Sequence, residues 1–102
     1  MITYCVQIDI SEARAEEWLV WIGPHADAVV ATGCFDDWSL AECVDPAPPP
    51  GRRVFVVRYT TTSHERLQQY RTDFAPALIA EGLATFENDL IGTRWVEEGI
   101  RV

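Results

Sequence analysis

The segment 53–61 carries apolar side chains on both of its faces, and no other feature of the sequence restricts the fold as strongly. Its apolar residues are Phe55, Val57 and Tyr59 on one face and Val54 and Val56 on the other. Successive side chains of a strand point to opposite faces, so both faces of this strand need cover. The segment is therefore predicted to be a strand that packs on one side and needs a partner on the other.

Three further strands are predicted before and after this segment. Residues 2–10 alternate strictly, which is typical of a half-buried strand. The apolar face of that strand consists of Ile2, Tyr4, Val6, Ile8 and Ile10. Segments 34–44 and 91–102 alternate less regularly and are also predicted to be strands. Residues 45–51 include four prolines, which donate no ladder hydrogen bonds, so this segment is predicted to be a stiff hairpin connection.

Two helical regions are predicted between these strands. In the first, Ser11 is placed as the N-cap, and the Gly23-Pro24 pair interrupts the helix. In the second, residues 62–65 match a capping box, a hydroxyl residue followed three positions later by glutamate, and Pro76 divides the helix. The chain therefore runs strand–helix–strand twice.

This order predicts an α+β fold of the ferredoxin-like βαββαβ plan. Its four strands form an antiparallel sheet that carries both helices on one face. At this length, residues 1–102 are expected to form a single domain with one core.

The sheet face without helices is predicted to be too apolar for a surface in contact with water. Depending on the register of the last strand, its apolar residues are Val54, Val56, Val96, Ile100 and Val102. A face-to-face homodimer, that is, a dimeric α+β barrel, buries them in an interface of roughly 400–800 Å² per subunit. The open alternative is a monomer on which these residues are scattered surface side chains.

The charge of the chain argues against two classes of partner. Eight basic residues stand against 16 acidic ones, the formal net charge is −8, and no run of lysine or arginine occurs. Nucleic acids and anionic membranes are therefore not expected as partners. The first residues lack a basic leader and no stretch approaches 18 apolar residues, which predicts a cytoplasmic protein. The three cysteines have no metal-binding spacing and are predicted to be reduced.

Four segments carry a resemblance to a known family. These are the opening ITYCVQIDI, EEWLVWIGPHADAVVATGCF, the hairpin DPAPPPGRRVFVVRY and APALIAEGLATFEN. Together they resemble domain-of-unknown-function family 4286, a group of small bacterial proteins, over nearly the whole chain. The resemblance implies a dimeric α+β barrel and no catalytic residue, because the family has no assigned activity.

Two positions depart from the pattern of that family. Phe74 stands where a histidine is expected and Ile79 where a basic residue is common. The resemblance therefore implies no site that uses those groups. More distant dimeric α+β barrels include cofactor-independent oxygenases, lactone isomerases and haem-degrading enzymes, which is an analogy of fold alone.

A cleft between the helices and the inner sheet face is the expected place for a small molecule. The candidate ligand-binding residues are Tyr4, Trp21, Tyr59 and Trp95, and the candidate catalytic residue is His25. A position just after Pro24 is predicted to place His25 near a helix N-terminus. There the helix dipole disfavours the imidazolium, so His25 is expected to be a neutral base.

Two functions follow from this pattern, and the first is favoured. In the first, the homodimer is a non-catalytic binding or accessory protein whose aromatic side chains fill the interior and leave no cavity. In the second, it is a cofactor-independent enzyme of oxygenase or isomerase type that acts on a small apolar or aromatic metabolite. That enzyme uses His25 as base, Tyr4 or Tyr59 as hydrogen-bond partner, and a cavity of roughly a few hundred Å³.

No cofactor and no metal are predicted. The sequence contains two histidines, and neither has a second ligand at a useful spacing. A haem or metal protein is the third and most distant alternative.

Overall fold

A computed structural model describes residues 1–102 as one four-stranded antiparallel sheet with helices on one face. The elements in chain order are β1 (Ile2–Ser11), α1 (Glu12–Ala31), β2 (Asp37–Glu42), β3 (Arg52–Thr61), α2 (His64–Gln69), a π-helical turn (Tyr70–Phe74), α3 (Ala75–Phe86), a 3-10 turn (Glu87–Asp89) and β4 (Leu90–Glu98). The strands are ordered β2-β3-β1-β4 across the sheet. The predicted ferredoxin-like α+β fold is confirmed.

The core lies between the sheet and the helices. Tyr4 lies opposite Tyr59 and Ile8 lies opposite Phe55 in the pairing of β1 with β3, and all four side chains are buried. Trp18 of α1 stacks on Phe55 with ring centroids 5.0 Å apart. The shortest dimension of the Cα trace is 18 Å, which is the thickness of two layers. The second face of the sheet therefore has no layer over it.

Helix α1 runs unbroken through Pro24, so the predicted interruption at Gly23-Pro24 is wrong. The buried residues of α1 are Ala15, Trp18, Ile22, Ala26 and Val29, and they keep helical spacing across the proline. An internal proline costs about 3 kcal/mol, because it removes one N–H donor and crowds the preceding turn. The free energy gained when the apolar stripe packs against the sheet outweighs this cost.

The two helix N-termini differ in how they are capped. Ser11 precedes α1 as predicted, but its hydroxyl is buried and makes no hydrogen bond. Glu12 instead donates its backbone N–H to the Gly51 carbonyl at 2.8 Å, which joins the start of α1 to the β2–β3 hairpin. The cap of α2 is Ser63, whose hydroxyl accepts from the Arg66 N–H at 3.1 Å. That cap lies one position after the hydroxyl residue of the predicted capping box.

Pro76 divides the second helical region as predicted, and it lies in the first turn of α3. The turn before it is π-helical, which widens the backbone where proline supplies no N–H donor. Tyr70 begins this turn, is buried, and packs edge-on against Phe35 with centroids 4.9 Å apart. Tyr70 thus continues the buried face of α2, on which Leu67 lies three positions earlier.

Strand β4 has a register that reverses the predicted orientation of its side chains. Arg94 lies opposite Val6 and Val96 lies opposite Tyr4, so both belong to the helix-covered face. Trp95 lies opposite Cys5 on the open face. The prediction that Val96 is part of the open face is wrong, and Ile100 and Val102 lie beyond the end of β4.

No helix of the structure has the length and apolar character needed to cross a membrane.

Candidate functional site

A cavity of about 210 Å³ lies between the helices and the covered face of the sheet, and 13 of its 17 lining residues are hydrophobic. The expectation of a completely filled interior is wrong. Two lining positions are glycines, Gly82 on α3 and Gly92 on β4, and neither fills the space that a larger side chain would occupy. A Cβ atom at Gly82 would lie 3.3 Å from the Trp21 ring, so α3 approaches α1 closely beside the cavity.

Four of the five predicted site residues line this cavity. They are Tyr4, Trp21, His25 and Tyr59. The prediction that Trp95 lines it is wrong, because the register of β4 turns this side chain to the open face. There the Trp95 indole Nε1 donates to the Glu97 carboxylate at 3.1 Å. The neighbouring Arg94 lines the cavity instead.

His25 stacks on Trp21 in the wall of the cavity, with ring centroids 4.2 Å apart and an interplanar angle of 22°. Burial lowers the pKa of His25 below its ordinary value, the Glu81 carboxylate opposes this change, and the Arg94 charge adds to it. The imidazole is therefore neutral at neutral pH, as predicted. The predicted cause is wrong, because His25 lies inside α1 and not at a helix N-terminus.

The Nδ1 atom of His25 is buried and has no hydrogen-bond partner. Its nearest acid is Glu81, whose carboxylate oxygen lies 3.8 Å away, beyond hydrogen-bonding distance. A buried polar atom without a partner costs about 1–3 kcal/mol. The histidine thus keeps unused hydrogen-bonding capacity at the cavity wall.

Three tyrosines form the polar part of the cavity wall. Tyr4 lies at the centre, with its ring centroid 6.3 Å from Tyr59 and 5.7 Å from Tyr70. Burial raises the pKa of all three phenols, and the Arg94 charge lowers each pKa by a smaller amount. The hydroxyls therefore stay protonated at neutral pH and are able to donate hydrogen bonds to a ligand.

Sequence reasoning missed three residues that give the cavity its chemistry. Tyr70 reaches it from the buried face of the second helical region, three positions after Leu67, and Arg94 reaches it through the register of β4. Trp18 also lines the cavity, and its indole Nε1 is buried without a hydrogen-bond partner. Trp18 and Tyr70 had a signal in the sequence, because helical spacing places each of them in an apolar stripe, whereas Arg94 had none.

The arrangement of side chains does not match that of a metal site or of a reactive thiol. No group of three or more His, Cys, Asp or Glu residues comes close enough to hold a metal ion. All three cysteines are free thiols. Burial raises the pKa of Cys5, and the adjacent Glu97 carboxylate raises it further. A raised pKa disfavours the thiolate form on which a nucleophilic cysteine depends.

Comparison with known proteins gives a family and a fold. The family model described as "Domain of unknown function (DUF4286)" matches residues 1–100. No curated protein matches the chain.

Solved structures share the fold at low sequence identity. The protein At3g17210 from Arabidopsis thaliana superimposes with a TM-score of 0.68 at 10% identity, with all of both chains covered. SnoaB, a cofactor-independent oxygenase from Streptomyces nogalater, gives 0.64 at 14% identity over 99% of this chain and 94% of its own. The de novo designed protein Foldit4 gives 0.61 at 8% identity over 97% of this chain and 98% of its own. Because a designed chain matches almost as well as an oxygenase, the likeness shows the fold alone.

Proposed function

The chain belongs to the domain-of-unknown-function family DUF4286, and from its own cavity we propose that it binds a small apolar or aromatic molecule between the helices and the sheet. The observation that carries this proposal is the cavity of about 210 Å³ with a mainly hydrophobic wall. A hydrophobic core without a function is normally packed to crystal-like density. A cavity of about 150 Å³ is enough to hold benzene, so the present one has room for one or two rings.

The polar atoms of the wall support binding of a molecule that carries heteroatoms. Trp18 Nε1 is an unpartnered donor and His25 Nδ1 is an unpartnered ring nitrogen. Tyr4, Tyr59 and Tyr70 add three protonated hydroxyls. Few polar groups in a mainly apolar pocket are the usual composition of a small-molecule site.

Calorimetric titration with 2-naphthamide, a neutral bicyclic aromatic, tests this proposal. We expect saturable binding to the wild type and an affinity at least about tenfold lower for Val6→Trp, since Val6 lines the cavity floor and tryptophan would fill the space. Val44→Trp is the matched control, because Val44 is 74% exposed in the hairpin connection and should leave the affinity unchanged. Equal binding by wild type and Val6→Trp would contradict the proposal.

A second candidate function, proton abstraction from the bound molecule, is favoured by one observation. His25 is the titratable cavity residue that is neutral and basic at neutral pH, because burial lowers its pKa. In this reaction the imidazole takes a proton from a C–H bond beside a carbonyl, and the electron pair stays on the ligand as an enolate. In an isomerase the imidazolium returns the proton to another carbon. In an oxygenase the enolate's electron pair reduces dioxygen as a C–O bond forms, and the imidazolium returns the proton to the resulting peroxide. Neither step needs an organic cofactor or a metal.

We also propose that the protein forms a homodimer through the open face of the sheet. Val54 and Val56 of β3 lie on this face, although Val56 is only 9% exposed, and β4 adds Trp95 and Ile91, of which Ile91 is 58% exposed. The helices cover the other face, so a partner is needed to cover the exposed side chains of this one. In dilute solution we expect a mass of twice 11.5 kDa.

Val54→Lys is expected to weaken the dimer about a hundredfold, because an ammonium group would lose its contact with water at the interface. Within one subunit the change is tolerated, since Val54 is half-buried and lies opposite Asp9. Sedimentation velocity over a dilution series measures the dissociation constant. Val20→Lys adds the same charge at a 79% exposed position on α1 and should leave it unchanged. A wild type that sediments at 11.5 kDa at all concentrations would refute the dimer.

A further inference from the structure

We infer that the molecule bound in this cavity carries a negatively charged group, such as a carboxylate or a phenolate, and that the Arg94 guanidinium binds it. This inference rests on the proposed binding function and adds the charge of the ligand to it. Arg94 lies opposite Val6 on the helix-covered face of the sheet and lines the cavity.

Arg94 has no acidic partner in a chain that has acids in excess. The sequence contains 16 acidic residues against eight basic ones, all of which are arginines. The arginines that form ion pairs with carboxylates are Arg14, Arg52, Arg53 and Arg66. Arg94 forms none, and among the unpaired arginines it is the one that lines the cavity. No carboxylate of the chain therefore neutralises the Arg94 guanidinium.

The cavity wall itself contains no carboxylate. Its titratable residues are His25, the three tyrosines and Arg94. At neutral pH the imidazole is neutral and the phenols are protonated, so Arg94 contributes the full positive charge of the wall. The Arg94 charge lowers the pKa of His25 as well as those of the tyrosines, which shows that its field reaches all four. The Arg94 charge would therefore also stabilise an anion bound in the cavity.

The geometry around Arg94 keeps its guanidinium beside the cavity. A Cβ atom at Gly92 would lie 3.1 Å from Arg94 Nη1, so the side chain folds back along β4 over the missing side chain of the glycine. Arg94 is exposed, and an exposed guanidinium keeps its charge and offers parallel N–H donors to a carboxylate. A ligand with its rings in the cavity and its charge at Arg94 uses both parts of the site.

Two isosteric probes, 2-naphthoate and 2-naphthamide, test the inference by calorimetry at neutral pH. The wild type is expected to bind the anion about tenfold more tightly than the amide, which is the lower range for a charge-assisted hydrogen bond. Arg94→Gln should lose this tenfold preference and keep the affinity for 2-naphthamide. Arg101→Gln is the control, because it removes the same charge from an exposed position that lies beyond β4 and does not line the cavity.

The outcomes test the inference about ligand charge separately from the proposed binding function. Equal affinity of the wild type for both probes, or a preference that survives Arg94→Gln, overturns the inference and leaves the proposed binding function in place. Absence of binding by both probes overturns the proposed function together with the inference. A preference for the anion that Arg94→Gln abolishes and Arg101→Gln retains supports both.

Discussion

Replacing Trp18 with alanine is expected to lower the free energy of unfolding by about 3–5 kcal/mol, the range for a buried tryptophan. Trp18 is fully buried, stacks on Phe55 and forms part of the cavity wall. Its removal would enlarge the existing cavity, so little of the lost contact can be regained by collapse of the surroundings. Domains of this size have a total stability of about 5–15 kcal/mol, which makes the loss large. Urea unfolding at one fixed protein concentration measures it.

Two control variants separate packing from hydrogen bonding. Val20→Ala lies on the same helix at a position 79% exposed, and it should change the stability by about 0.5 kcal/mol or less. Trp18→Phe keeps an aromatic ring against Phe55 and should be far milder than alanine, since the Trp18 indole Nε1 has no hydrogen bond to lose. A Trp18→Ala protein as stable as Val20→Ala would contradict this account of the core.

Much of the fold follows from short-range patterns in the sequence. The alternation of residues 2–10 and the two apolar faces of residues 53–61 give β1 and β3, which pair along their full length. Helix α1 shows where such patterns fail. Gly23 and Pro24 both disfavour a helix locally, but a stripe in register on both sides of them packs on the sheet and holds the helix together. The strength of that packing is a property of the tertiary structure and is not visible in a local pattern.

The candidate site was predictable only where its residues lie on regular elements. Tyr4 and Tyr59 follow from strand alternation, and Trp21 and His25 follow from helical spacing. The assignment failed at β4, because a shift of one residue exchanges the two faces of a strand. Its sequence alternates weakly, since apolar residues occur at both Trp95 and Val96.

Tyr70 was missed for a different reason. Helical spacing places it in one apolar stripe with Leu67 and Phe74, which predicts a packing residue and does not reveal that packing leaves a cavity beside it. The existence of the cavity was equally hidden, because its wall is built from residues of α1, α3, β1, β3 and β4 that come together only in the folded chain. The cavity contradicts the completely packed interior that the sequence favoured, and it supports the proposed binding function.

His25→Gln is expected to slow the exchange of C–H protons in a bound ketone by about 10²–10⁴-fold, the usual contribution of a general base. The probe is 2-tetralone, a bicyclic aromatic ketone whose protons beside the carbonyl exchange with D₂O through an enolate. The wild type should accelerate this exchange above the buffer rate, because His25 takes the proton and the cavity offers phenol and guanidinium donors to the enolate oxygen. Proton NMR follows the loss of the exchanging signal.

The pH profile of this exchange distinguishes His25 from a free imidazole. Burial lowers the pKa of His25 from its ordinary 6.5, so the base stays unprotonated as the pH falls through that value. The accelerated rate should therefore hold its plateau below pH 6.5 and decline only at the lower pKa of the folded protein. His64→Gln is the matched control, because His64 is exposed and pairs with Glu98 away from the cavity. If 2-tetralone binds but exchanges no faster than in buffer, His25 is not a base and the cavity is a binding site only.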